Sequence, residues 1–226
     1  MIEPTYVLVP GAGGMASYWD RVRRELDVRG RASIAVDLPA DDPDKGLPDY
    51  VDAIVDAATG LDDVVLVAQS LGGFSASWAA DRLPVSRLVL LNAMIPLPGE
   101  TAGEWWAATG SSEAMRDNDI RAGRDPDANF DLETYFLHDV PADVLADLGE
   151  ERDESDAVFA APWGLEAWPD VPTTVLAAQD DRFFPFSFQQ RVARERLGIE
   201  AFQVPGGHLN ALSRPAEVAD AIVSAT

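Results

Sequence analysis

The chain contains no cysteine and only two histidines among its 226 residues. The missing thiols exclude disulfide bonds, a cysteine nucleophile and metal sites that need thiolate ligands. No apolar run reaches the ~18 residues that a membrane-spanning helix requires, so we expect no membrane span. The first residues also lack a basic stretch followed by a long apolar one. We therefore expect no signal peptide and a cytoplasmic location.

Basic residues are scarce as well, because 17 Lys and Arg face 39 Asp and Glu, which gives a net charge of −22. A surface this acidic repels phosphate backbones and anionic lipid headgroups, so we expect neither nucleic acid nor a membrane as a partner. The 47% of apolar residues is enough for a folded core. We expect residues 1–226 to form one domain.

Short apolar, β-branched segments alternate with helix-like segments along the chain. This alternation is typical of an α/β fold whose parallel sheet is covered by helices on both faces. We predict six strands, mostly parallel, in the order 2-1-3-4-5-6. The predicted strands are Thr5–Val9, Ser33–Val36, Val64–Ala68, Arg87–Leu91, Thr173–Ala177 and Ala201–Val204. Two helices are predicted by their starts only: one is capped by Ser17 and one begins at Asp49. Three further predicted helices span Phe74–Ala80, Gln189–Leu197 and Pro215–Ser224.

One interval of about eighty residues, between Asn92 and Val171, contains no clear strand. It holds four of the six tryptophans. A structureless loop of that length is uncommon in a compact domain. We therefore predict a mostly helical cap over residues 95–170, inserted after the fourth strand.

Ser70 directly follows the third predicted strand, with Ala68 two positions before it and Gly72 two positions after it. The order strand, serine, helix is typical of a nucleophile elbow, a strained turn that raises the hydroxyl above the sheet. An ordinary turn serine is the alternative. Small residues flank Ser112 at the same spacing, but no strand precedes it, so we predict a loop there.

A serine nucleophile needs a base, and the two histidines are the candidates. His208 lies in a glycine-rich loop after the sixth strand, whereas His138 precedes the fifth. In elbow-type hydrolases the chain order is Ser, acid, His, and His208 alone satisfies it. For His138 we predict a packing role, with pocket lining as the alternative.

Two adjacent carboxylates, Asp180 and Asp181, follow the fifth strand and compete as the acid that orients the base. Successive side chains of an extended segment point opposite ways, so only one should face His208. The residues themselves leave both possibilities open. The fourth strand ends in Asn92, so the alternative position for an acid has no carboxylate.

A glycine-rich loop, Pro10–Gly14, follows the first strand. A phosphate-binding loop is the alternative interpretation, but the trailing Gly-Lys-Ser/Thr and the G-x-G-x-x-G spacing are both missing. In a sheet of this order, strands one and three flank the switch point where sites form. We therefore predict an oxyanion hole made by the backbone amides of Ala12 and Leu71.

Four segments together resemble the α/β-hydrolase superfamily, and the likeness spans the whole chain: Val7–Ala12, Ala68–Gly73, Asp181–Pro185 and Gly206–His208. The layout is similar to plant methyl esterases and hydroxynitrile lyases, and to actinobacterial hydrolases of similar length. The resemblance implies the α/β-hydrolase fold, Ser70 as nucleophile and His208 as base, with no cofactor and no metal. It selects Asp181 as the acid, because the family places this residue four positions before a proline.

The chain departs from the family pattern at a few positions. Pro10 stands where a histidine is common, and Ala68 where a glycine is common, but neither change removes an amide donor. The lyases carry a lysine directly after the catalytic histidine and a threonine in the oxyanion loop. This chain has Leu209 and no such threonine, which argues against lyase chemistry. Ser70 also excludes the dehalogenase and epoxide hydrolase mechanism, which needs an aspartate there.

The sequence thus predicts a carboxylesterase-like serine hydrolase that cleaves a small ester, lactone or thioester through an acyl-enzyme. A non-hydrolytic small-molecule-binding protein of the same fold is the alternative, and a hydroxynitrile-lyase-type enzyme is a further one. The partner would be a small acyl substrate held between core and cap. Its expected contacts are Gln69, Asn92, Met94, Trp105, Trp106, Phe136, Phe183 and Leu209, with cap packing as the alternative for each aromatic.

Overall fold

The computed structural model describes residues 3–147 and 152–226. Across these ranges six strands form one sheet in the order β2-β1-β3-β4-β5-β6, which confirms the predicted order. Every pairing in the sheet is parallel. The strands are β1 (Thr5–Val9), β2 (Ser33–Ala35), β3 (Val64–Gln69), β4 (Val85–Leu91), β5 (Thr173–Ala178) and β6 (Ala201–Val204).

Helices connect the strands and cover both faces of the sheet, as parallel pairing requires. Short 3₁₀ helices at Ala16–Trp19 and Ala80–Arg82 and a π-helix at Glu133–Leu137 accompany the α-helices. The α-helices are α1 (Asp20–Val28), α2 (Leu47–Ala57), α3 (Gly72–Ala79), α4 (Ala102–Thr109), α5 (Ser111–Ala122), α6 (Ala142–Asp147), α7 (Asp156–Ala160), α8 (Phe186–Leu197), α9 (Asn210–Ser213) and α10 (Pro215–Ser224).

The core has two layers, one on each face of the sheet. Alternate residues of β1 enter opposite layers: Val7 and Val9 face the layer with α2 and α3, while Tyr6 and Leu8 face the layer with α1 and α10. All six residues of β3 are buried, because this strand lies in the middle of the sheet. The carboxyl end of β3 is therefore a rigid platform for the residue that follows it.

Two predicted helix starts differ from the structure. Ser17 is not a cap, since it lies inside the 3₁₀ helix and the residue before that helix, Met15, makes no side-chain capping bond. Helix α2 begins at Leu47 instead of Asp49. The carboxylate of Asp49 accepts a hydrogen bond from the Gly46 N–H at 2.9 Å, so this aspartate stabilises the helix start from its third position.

The prediction of a loop around Ser112 is wrong, because Ser112 lies in α5. Gly110 ends α4 with a left-handed backbone (φ +66°) and allows α5 to begin at the next residue. Glycine adopts this conformation without the steric cost that a side chain would bring. The two short helices therefore follow each other with no intervening loop.

The segment between β4 and β5, residues 92–172, carries α4 to α7 and the π-helix. The described residues do not include 148–151 of the predicted cap. They also leave out Met1 and Ile2, which belong to the segment considered for a signal peptide. None of the helices in the described ranges is long and apolar enough to cross a membrane.

Candidate active site

Ser70 stands at the sharp turn between β3 and α3. Its backbone is left-handed, with φ +50°, which is strained for a residue with a side chain. The Ser70 carbonyl accepts hydrogen bonds from Gly73 N (3.1 Å) and Met94 N (2.9 Å). These two bonds hold the strained turn, and the second ties it to the chain that leaves β4.

Two glycines allow neighbouring backbone to approach this turn. A Cβ at Gly72 would lie 2.4 Å from the Pro10 oxygen, and a Cβ at Gly73 would lie 2.0 Å from the Met94 oxygen. Real Cβ atoms do not tolerate such contacts. The loops after β1 and β4 can therefore pack directly against the elbow only because both positions are glycine.

His208 joins the serine to an aspartate. Its Nε2 lies 3.1 Å from Ser70 Oγ, and its Nδ1 lies 2.8 Å from Asp181 Oδ2. The histidine is completely buried and Asp181 is 2% exposed. Three side chains that are far apart in sequence thus form one continuous hydrogen-bond chain.

The aspartate is held in place by several donors. Its Oδ1 accepts hydrogen bonds from the backbone N–H groups of Phe183 (2.9 Å) and Phe184 (2.8 Å), and Gln189 Nε2 donates to Oδ2 at 3.2 Å. The neighbouring Asp180 is exposed and accepts a bond from Gln179. Of the two candidate acids, it is therefore Asp181 that contacts His208.

Asn92, which we predicted as a substrate contact, lies beneath His208 and does not line the cavity. Its Nδ2 donates to the His208 carbonyl at 3.0 Å, and its Oδ1 accepts from Ala178 N at 2.7 Å. Gln69 Nε2 also donates to the His208 carbonyl, at 3.3 Å. Asn92 has a left-handed backbone (φ +49°) and is fully buried, so it links β4, β5 and the histidine loop.

Asp139 supports the same loop from the β4–β5 segment, and no motif in the sequence points to this residue. Its Oδ2 accepts hydrogen bonds from Gly207 N (2.8 Å) and Ser213 Oγ (2.7 Å). Its neighbour His138 packs against the loop too, with Nε2 only 2.7 Å from where a Gly207 Cβ would be. Burial, and secondarily Arg182, lower the pKa of His138. His138 is not among the cavity-lining residues.

The Pro10–Gly14 loop lies beside the elbow. A Cβ at Gly11 would be 2.8 Å from Ser70 Cβ, so the loop backbone nearly touches the serine. Gly14 N donates to the Gly11 carbonyl at 3.1 Å and closes the turn. Within the described residues, the N–H groups of Ala12 and Leu71 donate no hydrogen bond. Both residues line the cavity that contains Ser70.

A cavity of about 790 Å³ opens above Ser70 and His208. Trp106, Phe136 and Phe183 form an aromatic wall, with ring centroids 4.7 to 5.3 Å apart in neighbouring pairs. The rings of Phe136 and Phe183 also meet the His208 ring edge-on. Six of the eight predicted contacts line the cavity: Gln69, Met94, Trp106, Phe136, Phe183 and Leu209.

Trp105, the other predicted contact outside the cavity wall, belongs to the core. It is 1% exposed, and its indole N–H donates to the Ile95 carbonyl at 3.0 Å. Its ring packs on Phe184 and Phe188. Because adjacent helical residues point about 100° apart, Trp106 faces the cavity while Trp105 faces inward.

Four charged residues line the cavity, and three of them are acidic. Glu133, Asp153 and Glu154 line it together with Arg152. Arg152 is paired with Asp37 outside the cavity, at 3.0 Å. No group of three His, Asp or Glu side chains among the described residues is arranged to hold a metal ion.

Known proteins resemble this chain in sequence and in fold. Pyrethroid hydrolase of Sphingobium wenxiniae is 26% identical over 239 residues, covering 96% of this chain and 85% of that protein. Methylesterase 7 of Arabidopsis thaliana is 36% identical over 107 residues, covering 42% of this chain and 41% of that protein. The structure of an extracellular alpha/beta-hydrolase from a Paenibacillus species superimposes with a TM-score of 0.76 at 19% identity, covering 98% of both chains.

The model of the alpha/beta hydrolase family matches residues 6–221, almost the whole chain. This match includes the elbow at Ser70, the Pro10–Gly14 loop and the loop that carries His208. The predicted superfamily is confirmed, and the chain belongs to the alpha/beta hydrolase family.

Proposed function

We propose that this protein is a serine esterase that hydrolyses a small, largely apolar ester through a covalent acyl-enzyme. The observation that carries the proposal is the hydrogen-bond chain from Ser70 Oγ through His208 to Asp181. The ester-cleaving relatives support the same reaction class, since two of them are named pyrethroid hydrolase and methylesterase. Lactones and thioesters present the same acyl carbon and fall within the proposal.

In the first step, Ser70 Oγ attacks the acyl carbon while His208 Nε2 removes the hydroxyl proton. Asp181 keeps the other proton on His208 Nδ1 and stabilises the imidazolium that forms. The carbonyl oxygen becomes an oxyanion, which accepts hydrogen bonds from the N–H groups of Ala12 and Leu71. Collapse of the tetrahedral intermediate breaks the ester bond, and His208 gives its proton to the departing alkoxide.

In the second step, water replaces the alcohol beside His208. The histidine takes a proton from this water, and the resulting hydroxide attacks the acyl carbon of the Ser70 ester. A second tetrahedral intermediate uses the same two amides. Its collapse returns the proton to Ser70 Oγ and releases the carboxylic acid.

The segment of residues 95–170 acts as a cap in this proposal. Trp106 and Phe136 come from it and face the cavity together with Phe183 of the core. A cavity of about 790 Å³ is in the range of drug-sized ligand pockets. Aromatic walls favour an apolar acyl or alcohol group, so the substrate class is an uncharged ester with at least one bulky apolar part.

The test is a chain-length panel of p-nitrophenyl esters together with labelling by a fluorophosphonate. We expect Ser70→Ala to abolish both turnover and labelling while the fold, measured by circular dichroism, is retained. Ser112→Ala is the matched control, because Ser112 has the same spacing of small residues but lies on helix α5. This control should keep wild-type turnover and labelling.

Persistent labelling of Ser70→Ala would contradict the assignment of the nucleophile. A wild-type protein that binds an ester tightly without cleaving it would instead favour the non-hydrolytic binding protein. Release of hydrogen cyanide from a cyanohydrin, with no ester turnover, would favour the lyase.

A further inference from the structure

A short stretch of the cap, residues 152–155, lies across the Pro10–Gly14 loop. Glu154 Oε2 accepts a hydrogen bond from Gly13 N at 2.8 Å, and the Arg152 carbonyl lies 3.3 Å from where a Gly13 Cβ would be. Ser155 Oγ donates to the Pro43 carbonyl at 3.3 Å. The stretch is thus fixed to the core next to the two amides proposed for the oxyanion.

The other oxygen of Glu154 is occupied as well. The buried hydroxyl of Tyr50, on helix α2, donates to Glu154 Oε1. A second link runs in parallel, because Asp37 accepts hydrogen bonds from Arg152 (3.0 Å) and from Ala16 N (3.1 Å). The cap stretch is therefore tied to Gly13, near the C-terminal end of the loop, and through Asp37 to Ala16 just beyond it.

The bond to Gly13 acts on the proposed oxyanion donor beside it. Gly13 N–H shares a planar peptide group with the Ala12 carbonyl, so fixing it limits rotation about Ala12. Gly13 has φ +81° and Gly14 φ +63°, left-handed conformations that glycine adopts without steric cost and that no side chain restrains. On its other side the loop is held by Leu38 N, which donates to the Gly14 carbonyl at 2.8 Å.

We propose that Glu154 is a positioning residue that holds the Ala12 amide in the direction needed by the oxyanion, with Tyr50 fixing the carboxylate. The inference rests on the proposed function, because the loop has a catalytic role only in an acyl-transfer enzyme. Glu154 does not touch the reacting atoms. It couples the cap to the oxyanion hole, so that a correctly placed cap is needed for fast chemistry.

The electrostatics of Glu154 agree with a role beyond stability. Burial raises the pKa of its carboxyl above the ordinary value, although the bonds from Tyr50, Gly13 and Ser155 oppose this shift. The fold therefore keeps a carboxylate where its charge is disfavoured. Residues held at a cost of this kind often serve function.

The test compares Glu154→Ala, Glu154→Gln and Tyr50→Phe with the control Asp156→Asn, which removes an exposed carboxylate just after the stretch, at the first residue of α7. Each variant is assayed for kcat and KM on the best p-nitrophenyl ester. Each is also titrated with a trifluoromethyl ketone, which forms a tetrahedral oxyanion with Ser70, and with the matching methyl ketone, which mimics the unreacted substrate.

We expect Glu154→Ala to lower kcat about tenfold, which is less than the ~10²–10³ caused by losing an oxyanion donor outright. KM and the affinity for the methyl ketone should stay unchanged, while the affinity for the trifluoromethyl ketone falls with kcat. Glu154→Gln should restore most of kcat, because its amide can accept from Gly13 and donate to Tyr50. Tyr50→Phe, which keeps the Gly13 bond, should lie between wild type and Glu154→Ala.

Three results would overturn the inference while leaving the esterase intact: unchanged kcat in Glu154→Ala, a rise in KM alone, or a Glu154→Gln variant as slow as Glu154→Ala. If Glu154→Ala does not fold, wild-type kcat and ketone affinity in Tyr50→Phe overturn it instead. A wild-type protein that neither turns over esters nor is labelled at Ser70 would refute both proposals.

Discussion

Asp181 and His208 are joined by a 2.8 Å hydrogen bond in a place from which water is excluded, with both side chains completely buried. The next carboxylate along the chain, Asp180, is exposed and its backbone N–H donates to the Gly206 carbonyl at 3.0 Å. Two adjacent acids thus take different positions, one behind the histidine ring and one at the surface.

This arrangement predicts that two isosteric substitutions affect kcat very differently. Asp181→Asn should lower kcat by about 10³–10⁴, because an amide no longer stabilises the imidazolium and favours the wrong tautomer of His208. Asp180→Asn should leave kcat within about twofold, as expected for an exposed group away from the reacting atoms. Steady-state kinetics on one p-nitrophenyl ester checks both. Loss of activity in Asp180→Asn with an active Asp181→Asn would reverse the assignment of the acid.

Alanine substitution of the two neighbouring tryptophans of α4 should affect different properties of the protein. Trp105 is fully buried in the core, so Trp105→Ala should cost about 3–5 kcal/mol of unfolding free energy. Trp106 is partly exposed and lines the cavity, so Trp106→Ala should mainly raise KM for bulky esters and leave acetate esters little affected. Urea unfolding and a substrate series separate the two. Equal destabilisation by both changes would show that Trp106 is a core residue too.

The sheet and the elbow could be predicted because their signals are local. Each strand is a short apolar run, and the order strand, serine, helix around Ser70 is contiguous in sequence. The position of His208 after the sixth strand followed from chain order. In a parallel sheet the carboxyl ends of neighbouring strands meet at one edge, which brings such residues together.

The supports of the site could not be predicted, because they depend on which distant segments meet. The sequence predicts Asn92 as a residue of the cavity wall, yet its amide reaches β5 and the histidine loop. Asp139 and Glu154 lie in the β4–β5 segment, where no strand register fixes their partners. Acidic residues are also abundant in this chain, so two more carboxylates carry no signal of their own.

The acidic residues of the cavity wall predict that the enzyme discriminates between substrates by charge. Glu133 and Asp153 line the cavity, and the charge of Arg152 is offset by Asp37. An ester bearing a carboxylate should therefore show a kcat/KM about tenfold lower than an isosteric ester bearing a trimethylammonium group at low salt. The difference should shrink in 0.5 M NaCl, because salt screens exposed charges. It should also shrink in Asp153→Asn, because this variant removes one of the negative charges. Faster cleavage of the anionic ester would contradict this account.

The buried carboxyl of Glu154 predicts how stability depends on pH. Burial raises its pKa in the folded state, whereas in the unfolded chain it titrates near the ordinary value of about 4.3. Between these two pKa values the folded protein binds more protons than the unfolded one, so the free energy of unfolding falls as pH rises. The amide of Glu154→Gln does not titrate, so the variant lacks this pH-dependent contribution to stability. Wild type should therefore lose stability relative to Glu154→Gln as pH rises above about 4.3, until the folded pKa is passed.

Urea unfolding of both proteins from pH 4 to 8 measures the difference, in which all other titrating groups cancel. A wild type that gains stability relative to the variant over this range would show that the folded state favours the ionised carboxylate.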